Sequence, residues 1–264
     1  MKKLILLLAV VALNLNLSTN LSAQDILNAI LERGELRVGT SGDQPPFSMT
    51  ADNATLFGLD VDMANGLAQS IGVRPKVIKM KFRDLIPALE RGEIDMIISG
   101  LTMTMDRNKK IAFIGPYVIS GNTVAVKDVT YLAADEIADV DVAGNRIAVM
   151  QGTTSEEFVV ANVTKATIYK SPTNKEALNL LKNDKVDIVI AGYPTVKLAL
   201  MEDEYSDLKT IAEPLDYEPI GIGVAPSDPL FLNLVQNYLN GLERSGILGL
   251  LKTNWFEQGS WMAE

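Results

Sequence analysis

Apolar residues recur along the chain with two different periods, and together these predict alternating helices and strands. Across residues 58–71 they fall at close to helical spacing, and Gly72 follows where a helix C-cap belongs. Short apolar runs bounded by turn residues, such as residues 95–98, are typical of buried parallel strands. The repeated strand–helix–strand order predicts an α/β fold with a parallel sheet. The predicted strands are residues 35–41, 77–80, 95–98, 111–118, 122–127, 146–150, 167–170 and 186–190. The predicted helices are residues 25–31, 58–71, 82–90, 229–242 and 247–256, with two more starting at 154 and 174.

Residues 91–107, RGEIDMIISGLTMTMDR, predict an anion-binding site at the end of one of these strands. The strand closes on Ser99 and Gly100, and a Thr-rich turn with Thr102 then leads to Arg107 at the start of a helix. In open α/β sheets, ligands bind outside the carboxyl ends of the strands. Small hydroxyls, backbone N–H groups and one Arg at such an end suit a carboxylate.

An internal repeat links this stretch to a second one. Residues 88–100 (ALERGEIDMIISG) align without a gap to residues 180–192 (LLKNDKVDIVIAG). The aspartates Asp95 and Asp187 and the glycines Gly100 and Gly192 are among the identical pairs. A chance match is the alternative, but the pattern favours one supersecondary unit used once in each of two lobes.

The order of the elements predicts two lobes with a cleft between them. We expect the chain to leave the first lobe near residues 117–121 and to return near 216–220, with the C-terminal helices packed on the first lobe. The predicted boundaries are 24–119 plus 220–264 for lobe one and 120–219 for lobe two. Two crossings form a hinge, and closure around a ligand is the expected motion.

Composition narrows the possible chemistry. The 264 residues suffice for two lobes of roughly 100–150 residues each. The chain has no His and no Cys, which excludes Ser-His-Asp and Cys-His nucleophilic sites and Cys/His zinc sites. The formal net charge of −9, without a basic stripe, argues against nucleic acid as a partner. These absences favour a binding protein over an enzyme, and we expect neither a metal nor a cofactor.

The N-terminus has the pattern of a secretory signal peptide. Two lysines precede an apolar core, and Leu-Ser-Ala before Gln24 predicts cleavage after Ala23, so residues 1–23 form the signal peptide. The alternative, an uncleaved anchor, is disfavoured because the apolar core is too short to cross a bilayer. The mature protein is therefore predicted to be soluble and periplasmic.

Several stretches also carry a family resemblance: GELRVGTSGDQPPFS, GLDVDMANGLAQSIG, FRDLIPALERGEIDMIISGLTMTMDR, KKIAFIGPY and residues 218–261. They resemble the periplasmic binding proteins of polar amino-acid ABC transporters, the type II, family 3 extracellular solute-binding proteins. The resemblance implies a two-lobed type II periplasmic-binding-protein fold, each lobe a mostly parallel sheet flanked by helices, with two hinge crossings. It implies a monomeric receptor that closes on a small carboxylate-bearing ligand, in the first place an amino acid, and delivers it to a membrane ABC permease.

The resemblance also assigns roles to individual residues. Gly100, Thr102 and Arg107 match positions that hold the ligand α-carboxylate, and Ser99 belongs to the same anchor. Phe82 matches an aromatic residue that stacks on the ligand, and the Gln151-Gly-Thr-Thr turn suggests that Thr153 and Thr154 donate to the carboxylate. The alternatives are a solvated Arg107, a core Phe82 and a simple Thr N-cap.

Three positions depart from the family pattern. The acid that usually binds the α-ammonium falls at Gly192, an aspartate of cationic amino-acid binders falls at Ser41, and a stacking aromatic falls at Gln44. A desolvated ammonium without a carboxylate is costly. Either Glu218 or Asp43 replaces the missing acid, or the ligand is not a standard α-amino acid. The alternatives are a solvated hinge residue for Glu218 and a turn former for Asp43.

An enzyme on the same scaffold is the second hypothesis. The stretch from Ser41 to Phe47 is similar to the start of the periplasmic cyclohexadienyl dehydratases, which act on prephenate and arogenate. Dehydration needs a general acid in the cleft. The matching position lies near Ile220 and holds no acid, although Glu218 is close.

Overall fold

Two five-stranded sheets form the framework of residues 25–258, which are the residues described by the computed structural model. The strands are β1 (Glu35–Thr40), β2 (Met49–Thr50), β3 (Leu56–Phe57), β4 (Arg74–Lys79), β5 (Met96–Ile97), β6 (Ala112–Ser120), β7 (Asn122–Val126), β8 (Arg146–Met150), β9 (Thr167–Ser171), β10 (Ile188–Gly192), β11 (Lys209–Thr210) and β12 (Glu218–Val224). The α-helices are α1 (Asp25–Arg33), α2 (Leu59–Ser70), α3 (Leu85–Glu90), α4 (Met105–Asn108), α5 (Thr154–Asn162), α6 (Asn174–Lys182), α7 (Tyr193–Ala199), α8 (Pro229–Arg244) and α9 (Ile247–Lys252). Short 3-10 turns at Phe82–Asp84, Val129–Ala133, Ile137–Asp139 and Asp203–Tyr205 and a π-helical turn at Thr253–Gln258 complete them.

The two sheets have the same design. The first has the strand order β4-β1-β5-β12-β6 and the second β11-β7-β10-β8-β9. Only β12 in the first sheet and β7 in the second run against their neighbours, so four of the five strands in each sheet share one direction. The prediction of a two-lobed α/β fold with mostly parallel sheets is thereby confirmed.

The C-terminal helices pack on the first sheet, as the chain order predicted. Phe231 and Val235 of α8 and Leu248 of α9 are buried in the same hydrophobic cluster as Leu36 of β1 and Met96 of β5. Burial of these apolar side chains provides the main stabilisation of this packing. The N-terminal and C-terminal parts of the chain therefore share one core.

The internal repeat corresponds to one local structure built twice. In the first sheet the Asp95 carboxylate accepts a bond from the Arg37 backbone N–H at 2.8 Å and pairs with the Arg37 guanidinium at 2.6 Å. In the second sheet Asp187 makes the same two contacts with Arg146, both at 2.8 Å. Each aspartate also donates its own N–H to the carbonyl of its arginine partner at 2.9 Å. The repeated Asp thus ties the start of one parallel strand to its neighbour.

The two crossings between the sheets lie side by side. β6 ends at Ser120 in the first sheet, β7 begins at Asn122 in the second, and Glu218 of β12 pairs with Ser120. A Cβ atom on Gly121 would clash with the backbone carbonyl of Asp216 on the returning crossing, so glycine permits this close approach. Both predicted crossings are therefore present in the fold.

Some elements differ from the prediction for local reasons. The helix predicted over 82–90 starts as a 3-10 turn, and α3 begins only at Leu85, which keeps Pro87 in the first helical turn where its missing N–H is tolerated. The last helix ends at Lys252 and continues as a π-helical turn, where the Trp255 indole donates to Asp62 at 2.8 Å. Across residues 25–258, no helix has the length and apolar character that a membrane crossing requires. The predicted signal peptide, residues 1–23, lies outside the described residues.

Candidate functional site

A small network of hydrogen bonds fixes the loop that follows β5 to the loop that follows β1. The Ser99 hydroxyl accepts the Ser41 backbone N–H at 2.9 Å. The Gln44 amide donates to the Ser41 hydroxyl at 3.2 Å and to the Ser99 carbonyl at 3.3 Å. All three side chains are buried, and they join the loop after β1 to the loop after β5. Ser41 and Ser99 therefore support Gln44, and only Gln44 faces the cleft.

Gly100 is tied to a fully buried carboxylate. Its backbone N–H donates to Asp60 of α2 at 2.7 Å, and the Tyr117 hydroxyl donates to the other oxygen of Asp60 at 2.7 Å. Burial raises the pKa of Asp60 to about 7, and the two hydrogen bonds oppose that rise. The Gly100 N–H therefore donates to Asp60 and is not free for a ligand carboxylate in this conformation. The predicted carboxylate contacts would then come from the residues that follow Gly100.

Arg107 is a buried cation that pairs with no carboxylate in the part of the chain that the structure describes. Its side chain is 7% exposed and donates to the carbonyls of Thr102 at 2.9 Å and Gly152 at 3.2 Å. The guanidinium lies 5.6 Å from the centre of the Phe82 ring, a cation–π geometry. Within residues 25–258 it forms no ion pair, and burial lowers its pKa while the charges of Glu157 and Glu218 oppose the shift. The predicted alternative of a solvated Arg107 does not hold.

The second sheet contributes the start of α5. The Thr153 hydroxyl accepts the Glu156 N–H at 3.2 Å and donates to the Met150 carbonyl at 2.7 Å, so it serves as the helix N-cap. Thr154 is the first helical residue, and its hydroxyl lies 3.2 Å from that of Thr102 on the opposite sheet. The first N–H groups of any helix lack an intrahelical partner and attract anions. Thr154 therefore brings an anion-attracting helix end to the Thr102 loop.

Glu218 provides a buried carboxylate at the hinge. It is 8% exposed and accepts hydrogen bonds from Asn122 at 3.2 Å and from the Thr102 hydroxyl at 3.4 Å. Burial raises its pKa, and the hydroxyls of Thr154 and Thr102 oppose that rise. No Lys or Arg within the described range pairs with it. The alternative of a solvated hinge residue therefore does not hold either.

These groups surround one small cavity between the sheets, which we call the anchor cavity. Its volume is about 30 Å³. The predicted site residues that line it are Gln44, Phe82, Gly100, Thr102, Thr153, Thr154, Gly192 and Glu218. Arg107 adjoins it through Thr102 and Phe82, while Ser41 and Ser99 lie behind Gln44. The structure thus brings the predicted residues together, and ligand binding by them stays a prediction.

Six further lining residues were not predicted: Phe47, Ser120, Ser155, Asn174, Thr195 and Ile220. Asn174 begins α6 just after β9, and Thr195 lies in the first turn of α7 just after β10. The strand-end rule that drew attention to Ser99 and Gly100 applies equally to these two positions. Asp43, the other candidate acid, lies instead at a neighbouring cavity beside Lys79, where burial raises its pKa.

Comparison with known proteins identifies the family. The model of the bacterial extracellular solute-binding proteins, family 3, matches residues 36–258. The chain belongs to this family. Cyclohexadienyl dehydratase of Pseudomonas aeruginosa is 29% identical to it over 252 residues, which are 94% of this chain and 93% of the relative. An L-cystine-binding protein of Escherichia coli is 28% identical over 236 residues, which are 88% and 86% of the two chains.

A solved structure extends the likeness to the fold. This family 3 protein superposes on an ABC-transporter binding component from Wolinella succinogenes, complexed with lysine, with a TM-score of 0.84 and 29% identity. The superposition covers 88% of this chain and 100% of that one. The relatives of this family 3 protein thus include amino-acid-binding proteins and an enzyme.

Proposed function

We propose that this family 3 protein is a periplasmic receptor for an amino acid or a closely related carboxylate and is not an enzyme. One observation carries the proposal: the buried carboxylate of Glu218 lines the anchor cavity, the buried cation Arg107 lies directly behind its Thr102 and Phe82 walls, and neither forms an ion pair within residues 25–258. Buried charges without partners are costly. An amino-acid head group has the opposite charges side by side and would satisfy both.

The carboxylate of the ligand would bind beside Arg107. Two of the five N–H donors of the guanidinium are used by the Thr102 and Gly152 carbonyls, so others remain for a bidentate contact. The start of α5 at Thr154 adds backbone N–H groups on the opposite side of the cavity. Phe82 stacks on the guanidinium and restricts its orientation.

The ammonium group of the ligand would bind Glu218, which replaces the acid missing at Gly192. The Glu218 carboxylate lies within 3.4 Å of the Thr102 hydroxyl, so one loop serves both ends of the head group. An ammonium contact would favour the charged form of Glu218 and reverse the effect of burial on its pKa.

Ligand binding would select the closed arrangement of the lobes. Three polar contacts join them near the cavity: Thr102 to Thr154, Arg107 to Gly152, and Arg83 to the Gln151 amide at 2.9 Å. A ligand held from both sides stabilises the arrangement in which both sides are close. Export through a cleaved signal peptide, a monomeric state and delivery to a membrane ABC permease complete the proposal, and they rest on the family.

Native mass spectrometry of freshly purified protein, followed by calorimetric titration with a panel of amino and organic acids, tests the receptor role. We expect stoichiometric binding without turnover, and Arg107→Gln should weaken it by roughly 30-fold or more because a buried charge contact is lost. Arg83→Gln is the matched control, since Arg83 also joins the lobes but is exposed. Equal effects of both substitutions, or no binding across the panel, would contradict the proposal.

The enzyme alternative rests on the raised pKa of the buried Glu218, a property suited to a general acid, and on the dehydratase relative. Incubation of the protein with prephenate and arogenate tests it. Formation of an aromatic product that is lost in Glu218→Gln would establish the alternative, and a flat absorbance trace would support the receptor role.

A further inference from the structure

Asn122 joins the two crossings between the lobes through its fully buried side chain. It is the first residue of β7, just after the outgoing crossing. Its side-chain amide donates to Asp216 at 2.8 Å and to Glu218 at 3.2 Å, both on the returning crossing. Its backbone N–H also donates to Asp216, at 2.6 Å. One residue of the outgoing crossing therefore holds two carboxylates of the returning one.

The two carboxylates determine which way the Asn122 amide faces. An ionised carboxylate only accepts hydrogen bonds, so the NH₂ group of the amide must point toward Asp216 and Glu218. The amide oxygen then lies on the opposite side, where it accepts the hydroxyl of Ser155 in the first turn of α5. The Asn122 side chain therefore has one defined orientation, which connects the hinge to the helix that begins at the anchor cavity.

The amide holds one oxygen of Glu218 and leaves the other to the anchor cavity. Asn122 donates to Oε1, while Oε2 lies 3.4 Å from the Thr102 hydroxyl. Glu218 is one of the residues that line the anchor cavity, whereas Asn122 lies outside that lining. Because Oε1 is held from behind, Oε2 is kept toward Thr102 and the cavity.

Asn122 also lies between two like charges. Burial raises the pKa of Glu218, and the charge of Asp216 raises it further. The hydroxyl of Thr154 and the charge of Arg107 oppose that rise. A hydrogen bond from Asn122 to a carboxylate oxygen favours the ionised form of Glu218. Since the amide donates to both carboxylates at once, it lowers the cost of keeping two negative charges close together.

Gly192 leaves this arrangement undisturbed. It pairs directly with Asn122 in the antiparallel ladder between β10 and β7, so a side chain at 192 would lie on the same face as the Asn122 amide. A Cβ atom on Gly192 would meet nothing nearer than the Thr195 Oγ1 atom, at 4.0 Å, so crowding does not require the glycine. An acid at 192 would bring a third carboxylate beside the amide, whereas glycine leaves the amide to Asp216 and Glu218.

We propose that Asn122 is a positioning residue of the ligand site: its amide fixes Glu218 toward the anchor cavity and joins it to Ser155 at the start of α5. The proposal rests on the receptor role inferred above, in which Glu218 binds the ligand ammonium. Asn122 itself does not touch the ligand. It keeps Glu218 ionised and oriented, so one buried amide sets the ammonium contact and the helix start beside the ligand carboxylate.

NMR titration of the side-chain carboxyl carbons measures the pKa of Glu218 without any ligand, and the Glu218→Gln spectrum assigns the signal. We expect Asn122→Ala to raise this pKa by about half a unit to one unit, because a donor to the ionised form is lost. Asn145→Ala is the matched control. Asn145 is another buried amide of the second lobe, bonded to Val140 and Tyr131, and its loss should leave the pKa of Glu218 unchanged.

Calorimetric titration with pairs of ligands that differ only in the amino group tests the link to the ammonium contact. The pairs are L-alanine with propionate, L-leucine with isocaproate and L-glutamine with glutaramate. For an amino acid that binds, Asn122→Ala should weaken binding roughly three- to tenfold, and its deaminated partner should lose less than about twofold. Asn122→Ser, whose single hydroxyl can donate to only one carboxylate, should lie between the native protein and Asn122→Ala.

Circular dichroism establishes that each variant is folded, and Asn122→Ser provides the same comparison if Asn122→Ala does not fold. An unchanged Glu218 pKa in the folded variant would overturn the proposal whether or not a ligand binds. Equal loss for an amino acid and its deaminated partner would also overturn it, while the receptor role would stand. If the Glu218 pKa rises as expected but no ligand binds, the hold of Asn122 on Glu218 is supported and the receptor role fails.

Discussion

The buried Asp60 carboxylate should make the stability of this protein fall as the pH rises. Asp60 lies in α2, is 1% exposed, and accepts hydrogen bonds from the N–H of Gly100, in the loop that follows β5, and from the Tyr117 hydroxyl. No Lys or Arg in residues 25–258 pairs with it, so desolvation dominates and raises its pKa from 3.8 to about 7. In the unfolded chain the same group titrates near its ordinary value.

The sign and size of the effect follow from these two values. Between pH 3.8 and about 7 the folded state binds more protons at Asp60 than the unfolded state, so the free energy of unfolding falls as the pH rises. Each pKa unit corresponds to about 1.4 kcal/mol, so the whole window amounts to roughly 4 kcal/mol. Above pH 7 the full destabilisation from the ionised Asp60 is present, and below pH 3.8 it is absent.

Urea denaturation of the protein and of Asp60→Asn at about pH 5 and about pH 8 measures this contribution. Between the two conditions, we expect the free energy of unfolding of the native protein to fall by roughly 3 kcal/mol relative to that of Asp60→Asn. The reason is that about two pH units of the range over which Asp60 ionises, from about pH 5 to about pH 7, lie between the two measurements. Tyr117→Phe removes a hydrogen bond that lowers the Asp60 pKa, so in this variant the pKa should be higher. The fall in the free energy of unfolding should therefore continue to a higher pH in Tyr117→Phe. Parallel pH profiles for the native protein and Asp60→Asn would refute the assigned pKa.

Four further substitutions test lobe closure and the repeated ion pair. Gly152→Ala should weaken ligand binding about tenfold, because its Cβ would lie 2.7 Å from that of Arg83 across the cleft and its φ is +80°. Calorimetry should show no such loss for Gly144→Ala, where φ is +97° but nothing is near. Asp95→Ala should cost about 3 kcal/mol in urea denaturation and Asp187→Ala clearly less, since Asp95 is 4% exposed and pairs with Arg33 and Arg37, whereas Asp187 is 34% exposed and pairs with Arg146. Equal losses would show that neither burial nor the second arginine strengthens the interactions of Asp95.

Local patterns in the sequence determined much of the fold. Helical and strand periods are properties of neighbouring residues, so the alternation of elements and the repeat around Asp95 and Asp187 could be recognised without coordinates. The rule that ligands bind at strand carboxyl ends identified Ser99, Gly100 and Thr102, and the resemblance supplied the role of Arg107. These predictions needed only short segments of chain.

The tertiary structure alone decided which distant residues face one another. The reversed strand β12 lies between β5 and β6, and this order brings Glu218 to Thr102 across 116 positions of sequence. Sheet order likewise places Asn174 and Thr195, from different helices, at the junction of two cavities. Whether Arg107 has a carboxylate partner depends on every element packed round it. Periodicity describes one segment at a time, whereas pairing, burial and shared cavities arise only when segments pack together.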